Sequence, residues 1–196
     1  VGKGDRVGVL TSKTHEQPVA QLGTLCAEAV FVPISDLLKP EQVRYIARDC
    51  GLRAAIVDHD KVDRLGELAA NISIIATGTA QDDRYSTLQA IVRAGLIDGR
   101  PHVIGRDNAA IIYSSGSTGM PKGIVLSHRN LWDGARIISS YLGLQADDRI
   151  AGLMSFNFDY GLNQIFCSLR VGASVHLQTF HFPKDVFQFL EDKSIT

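Results

Sequence analysis

Apolar residues along this chain fall into short unbroken runs, separated by stretches where they recur every three or four positions. Val7-Gly8-Val9-Leu10 is the first run and reads as a strand. A helix over Glu16 to Ala29 follows, with Val19, Leu22, Cys26 and Ala29 on one face. Val30-Phe31-Val32 predicts a second strand. A helix then opens at Pro40, whose fixed φ suits a first turn, with Val43, Ile46, Ala47 and Cys50 as its stripe. Ala54 to Val57 and Ile72 to Ile75 predict two more strands, with a helix through Val62, Leu65 and Leu68 between them. Residues 78–107 are weakly patterned and read as a long loop. Beyond them, Asn108 to Ile112 has strand character, and Leu131, Ala135, Ile138 and Leu142 mark a helix. Ile150 to Met154 predicts a strand, Leu162 to Leu169 a helix, Ala173 to Leu177 a strand and Lys184 to Asp192 a last helix. Apolar strands alternating with amphipathic helices indicate an α/β fold, a mostly parallel sheet flanked by helices on both faces.

Composition agrees with a packed domain. Apolar residues make up 45% of the 196 and charged residues 21%, enough for a real core. Twenty basic against twenty-one acidic side chains leave a net charge of −1, which offers no basis for binding nucleic acid or an anionic membrane. No run is long enough to span a bilayer and no signal peptide is visible, so cytoplasm is the default location. Cys26, Cys50 and Cys167 are odd in number, far apart and set among apolar residues. They read as buried thiols in a reducing compartment, with no disulfide frame and no metal site.

The densest chemistry lies in Tyr113-Ser-Ser-Gly-Ser-Thr-Gly-Met-Pro-Lys-Gly123, directly after a strand. Gly116, Gly119 and Gly123 let backbone N–H groups converge on one anion; Ser114, Ser115, Ser117 and Thr118 add neutral donors, and Lys122 adds a mobile positive charge. Such a loop suits a polyphosphate. A Gly/Ser surface turn that carries a lysine is the plain alternative. The Walker spacing fails because Pro121 stands where its second glycine is needed, and glycines at 116, 119 and 123 miss the dinucleotide fingerprint.

Ser114 to Gly123 resembles, at every position, the signature loop of the adenylate-forming superfamily of acyl-CoA synthetases, luciferases and peptide-synthetase adenylation domains. Three further stretches are similar to family segments. Ala29 to Ile34 with Leu38-Lys39-Pro40 looks like a structural motif: a buried strand, a proline exit and a helix start. Gly123 to Asn130 continues the phosphate loop, with Ser127 as a plausible cap for the next helix. His128 is read there as a structural or capping group in preference to a general base. Ser155 to Gln164 resembles the family's substrate element, Phe-Asp-x-Ser-x-x-Glu in amino-acid activators. Phe158 and Asp159 match that form, while Gly161 replaces its serine and Gln164 its glutamate. The resemblance places Phe156, Phe158, Asp159, Tyr160 and Gly161 beside the carboxylic substrate, with Asp159 able to pair with a substrate ammonium. The competing reading makes Asp159 a helix cap and puts Phe156 and Phe158 in the core. Leu38 to Val43, Arg48 to Gly51 and Phe158 to Leu162 look like the acyl-CoA ligases associated with bacterial exosortase systems.

The resemblance implies an AMP-forming acid–thiol ligase. A carboxylate attacks the α-phosphorus of ATP to give an acyl-adenylate and pyrophosphate, and a thiol then takes the acyl group. Ser114, Ser115, Gly116, Ser117, Thr118, Gly119, Lys122 and Gly123 would bind the phosphates, with Lys122 and Thr118 nearest the chemistry. Magnesium would bridge the phosphates, with no carboxylate in this chain identifiable as its ligand. The thiol would come from CoA or a carrier protein. The chain starts without methionine and ends at Thr196 before the family's adenine, ribose, hinge and catalytic-lysine segments. Residues 1–196 therefore read as an incomplete N-terminal AMP-binding domain, inactive alone. An amino-acid adenylation enzyme, a carrier-loading enzyme and a non-catalytic phosphate-binding module stay open as alternatives.

Overall fold

Two units make up the chain, Val1–Ser127 and His128–Thr196. The computed structural model describes residues 1–78, 84–95, 101–114, 120–180 and 182–196. In the first unit, strands β1 (Arg6–Leu10), β2 (Val30–Pro33), β3 (Leu52–Asp58), β4 (Ser73–Thr77), β5 (Ser86–Thr87), β6 (Asn108–Ser114) and β7 (Lys122–Ser127) share one sheet. Its order is β5-β4-β3-β1-β2-β6-β7. Every pairing is parallel except the last, the antiparallel β6–β7 hairpin. Val7 to Leu10 and the whole of β2 are buried, as expected of central strands covered on both faces.

Helices α1 (Glu16–Cys26), α2 (Pro40–Asp49) and α3 (Leu88–Ala94) belong to the same unit. The sequence reading of α2 holds: Val43, Ile46 and Ala47 are buried against Val32, Val57 and Leu65. Pro40 sits in its first turn, and the Lys39 N–H donates to Gln42 Oε1 at 3.0 Å. The phase of α1 differs from expectation. Gln17, Ala20, Gln21 and Thr24 are its buried residues, while Val19 and Cys26 are exposed. Positions 17, 20, 21 and 24 form a full i, i+3, i+4, i+7 stripe, and Thr24 turns its hydroxyl onto the Ala20 carbonyl at 2.8 Å. Thr24 is satisfied by its own helix, and with Gln17 and Gln21 also on the inner face hydrophobicity alone misplaces the stripe. Cys26 is thus not a buried thiol. Cys50 is half-buried and Cys167 buried, and all three are unbridged.

Residues 59–70 form a 3-10 segment rather than an α-helix, broken at Gly66, whose φ of 57° leaves helical space. Val62 and Leu65 still face the core. The expected long loop over 78–107 contains β5 and α3, elements too short to impose a period on the sequence. Thr87 caps α3 by accepting the Ala90 N–H at 3.1 Å, and Gly95 ends it at φ 64°.

In this sheet β1 lies between β2 and β3, so the chain leaves β1 to one side and returns to the other. Open α/β sheets place ligands at such a switch point. Here it is filled by an ion-pair network at the strand ends. Asp58 accepts from Lys61 Nζ at 2.7 Å, from the Ser12 N–H at 2.7 Å and Oγ at 2.8 Å, and from Thr77 Oγ1 at 2.6 Å. Lys61 also reaches Asp36 at 3.3 Å.

The second unit contains α4 (His128–Leu142), β8 (Arg149–Gly152), α5 (Asp159–Val171), β9 (Ser174–Leu177) and α6 (Pro183–Asp192). β8 and β9 pair in parallel, with α5 as the crossover. Leu131, Ala135 and Ser139 are the buried face of α4. Arg170 donates to Ser139 Oγ at 3.0 Å and joins α5 to it. Among the described residues no helix is long and apolar enough to cross a membrane.

Candidate functional site

The β6–β7 hairpin holds the glycine-rich stretch by its two ends. Ser114 pairs with Lys122 and Tyr113 with Gly123, the last rungs of the ladder. The sequence reading took residues after Lys122 only as a continuation of the loop; they are a strand, because Ile124, Val125 and Leu126 alternate against Ile112, Ile111 and Ala110. β6 runs parallel to β2, so Ser114 emerges at the carboxyl end of the parallel strands. Ser114, Lys122 and Gly123 are all exposed. Ser115, Gly116, Ser117, Thr118 and Gly119, the centre of the expected phosphate cradle, lie outside the described residues.

Gly123 has a steric reason. A Cβ there would sit 2.8 Å from Ile111 Cγ2 and 3.1 Å from Tyr113 Cζ. The Tyr113 ring therefore lies against bare backbone, and its hydroxyl donates to Asp49 Oδ2 at 2.5 Å. Burial, together with the neighbouring Asp49 and Cys50, raises the Tyr113 phenol well above its usual range. Burial also pushes the Cys50 thiol up to about 11, so it stays protonated at neutral pH. Ser127 ends β7 directly before α4, and His128, its first residue, is half-buried.

The second candidate element opens α5. Phe156 is fully buried, whereas Phe158 and Tyr160 are 52% and 64% exposed. The core reading is thus right for Phe156 and wrong for Phe158. Asp159 is not the cap: Phe158 holds that position, and Asp159 lies exposed in the first turn. Its carboxylate accepts the Tyr160 N–H at 2.8 Å, and its carbonyl accepts from Asn163 Nδ2 at 3.0 Å. Gly161 is buried, and a Cβ there would lie 2.2 Å from the Ser155 carbonyl oxygen. A cavity of about 700 Å³ is lined by Asp159, Tyr160 and Gln164 together with Arg149, Ala151 and Cys167. Gln164 donates to the Ala151 carbonyl at 2.9 Å, while its own Oε1 is buried with no hydrogen-bond partner among the described residues. The sequence singled out the α5 residues of this cavity but not Arg149 or Cys167, which carry no motif and meet the others only through the fold. Among the described residues no group of three His, Cys, Asp or Glu side chains stands where it could hold a metal ion.

The mostly parallel sheet and the Ser114–Lys122 rung at its carboxyl edge fit an adenylate-forming architecture. Residues 1–196 match the AMP-binding enzyme family, and the chain belongs to it. It is 29% identical over its whole length to surfactin synthase subunit 2 of Bacillus subtilis, spanning 5% of that protein. It is 31% identical to the L-proline–[L-prolyl-carrier protein] ligase of Streptomyces coelicolor, with 96% of this chain and 37% of the relative covered. Among solved structures, the anthranilate CoA ligase AuaEII in complex with anthranoyl-AMP superposes with a TM-score of 0.86 at 27% identity. All of this chain and 40% of that one are covered. The chain thus spans well under half the length of these relatives.

Proposed function

We propose that the protein from which this chain comes activates a carboxylic acid with ATP. A substrate carboxylate oxygen bonds to the α-phosphorus while the bond to the β-phosphate oxygen breaks, giving an acyl-adenylate and pyrophosphate. A thiolate then attacks the acyl carbon and AMP departs. The first step asks the protein for positioning and for charge stabilisation on the leaving pyrophosphate. Ser114, Ser115, Gly116, Ser117, Thr118, Gly119 and Gly123 supply the cradle, and Lys122 and Thr118 meet the leaving phosphates. The observation that carries this reading is the hairpin rung that sets exposed Ser114 opposite exposed Lys122 at the carboxyl edge of the sheet. Magnesium would accompany the ATP and neutralise charge on its phosphates, and no residue of this chain is assigned to it. In the full-length protein, Lys122→Ala is expected to lower acid-dependent ATP–pyrophosphate exchange roughly 100-fold. Exchange at the wild-type rate would remove the assignment.

Phe158, Asp159 and Tyr160 are assigned to the acid-binding wall, with Phe156 and Gly161 holding it from behind. CoA is the acceptor thiol in the first reading. The second reading is an amino acid substrate passed to a carrier-protein thiol. It is supported by Asp159, an exposed carboxylate at the start of α5, and by the prolyl-carrier ligase among the relatives. Exchange measured across fatty, aryl and amino acids separates the two. Asp159→Asn is expected to weaken an amino acid substrate by about tenfold or more and to leave a fatty or aryl acid within twofold. The narrower likeness to exosortase-associated ligases rests on three sequence segments alone. A cytoplasmic setting is proposed with the three unbridged cysteines as its support.

A further inference from the structure

The phosphate stretch hangs from an edge hairpin. β7 is the last strand of its sheet, and β6 is its neighbour there. One rung below the Ser114–Lys122 pair, Tyr113 leaves β6 and crosses toward α2, where its ring packs on the cluster containing Val43 and Ile46. Burial of the ring accounts for an aromatic residue. It does not account for the hydroxyl, which donates to Asp49 Oδ2 at 2.5 Å. Asp49 is itself the end of a chain of fixed groups. It closes α2, and the next two carbonyls are clamped by Arg6 of the central strand: Nε donates to Cys50 O at 2.7 Å and a terminal nitrogen to Gly51 O at 2.7 Å.

We propose that Tyr113 and Asp49 are a positioning pair, holding the stem of the phosphate loop at a set distance from β1, with Gly123 as the notch that lets them meet. This rests on the nucleotide reading of the loop. Any side chain at 123 would press on Ile111 Cγ2 and Tyr113 Cζ and lever the phenol off Asp49. Ser114 follows Tyr113 in the chain, and Lys122 precedes Gly123. A shift of the ring therefore moves both flanking ligands together. Misplacement by about 1 Å is enough to cost as much as 10²-fold in rate.

The test is ATP–pyrophosphate exchange by the full-length protein carrying Tyr113→Phe, Asp49→Asn, both, or Lys122→Ala. The pair predicts that each single change raises the KM for ATP about tenfold and leaves the acid KM within twofold, with the double variant no worse than either single. A smaller folded fraction would lower kcat and leave both KM values in place. Unchanged KM for ATP in Tyr113→Phe, or losses that multiply in the double variant, would overturn the pair. Lys122→Ala tells the two failures apart. If it abolishes exchange while Tyr113→Phe is silent, only the positioning role falls; if it leaves exchange intact, the nucleotide reading falls and takes the pair with it.

Discussion

A methyl group on Gly161 would sit 2.2 Å from the Ser155 carbonyl oxygen and 3.1 Å from that of Met154, both of them backbone atoms with no rotamer to yield. The first turn of α5 therefore rests directly on the turn before it. Gly161→Ser, which would restore the residue found in amino-acid activators, is expected to destabilise the protein by roughly 2 kcal/mol or more. A urea midpoint equal to that of wild type would show that the turn can relax. The same residue illustrates what a motif can hide. The sequence aligns Gly161 with a substrate-side serine, whereas the structure gives it a packing reason of its own. Phe156 and Phe158 divide in the same way: two residues apart and alike in chemistry, one is core and one is surface. Only the path of the turn separates them.

At the scale of elements, one carboxylate ties three parallel strands. Asp58 at the end of β3 receives Ser12 beyond β1 and Thr77 at the end of β4, with Lys61 completing the group. Burial alone would raise the Asp58 carboxyl; the hydrogen bonds from Lys61, Thr77 and Ser12 outweigh it and hold the group below its usual range. The unfolded chain then binds this proton more readily than the folded one. Stability from Asp58 is complete above its unfolded pKa of about 3.9 and is lost as pH falls through the lower folded value. Urea midpoints between pH 2 and 6 should show this slope, and Asp58→Asn should flatten it. Asp58→Ala at pH 7 leaves Lys61 with Asp36, at 3.3 Å, as its remaining carboxylate partner and is expected to cost about 2 kcal/mol. Much of the element order was legible, because β1 to β4 are apolar runs and the α2 stripe is regular. Residues 84–95 were not, since a two-residue strand and a seven-residue helix are shorter than either period needs to declare itself. The α1 face was misread because buried Gln17, Gln21 and Thr24 are polar.

For the whole molecule, the relevant fact is coverage. The chain matches the AMP-binding family from end to end and yet spans 40% of the AuaEII structure. On the proposed mechanism, the 196 residues alone should support no carboxylate-dependent pyrophosphate exchange, while the full-length protein does. Exchange by the isolated chain above its Lys122→Ala control would contradict this. Residues 114–123 by themselves pointed to the family, because ten positions in order match its signature. Tertiary structure decided what sits next to that loop and what does not. It filled the switch point between β1 and β3 with Asp58 and Lys61, and joined Tyr113 to Asp49 across 64 residues of sequence. Local spacing records backbone geometry over a few residues; partners this distant are chosen by how the helices and strands pack.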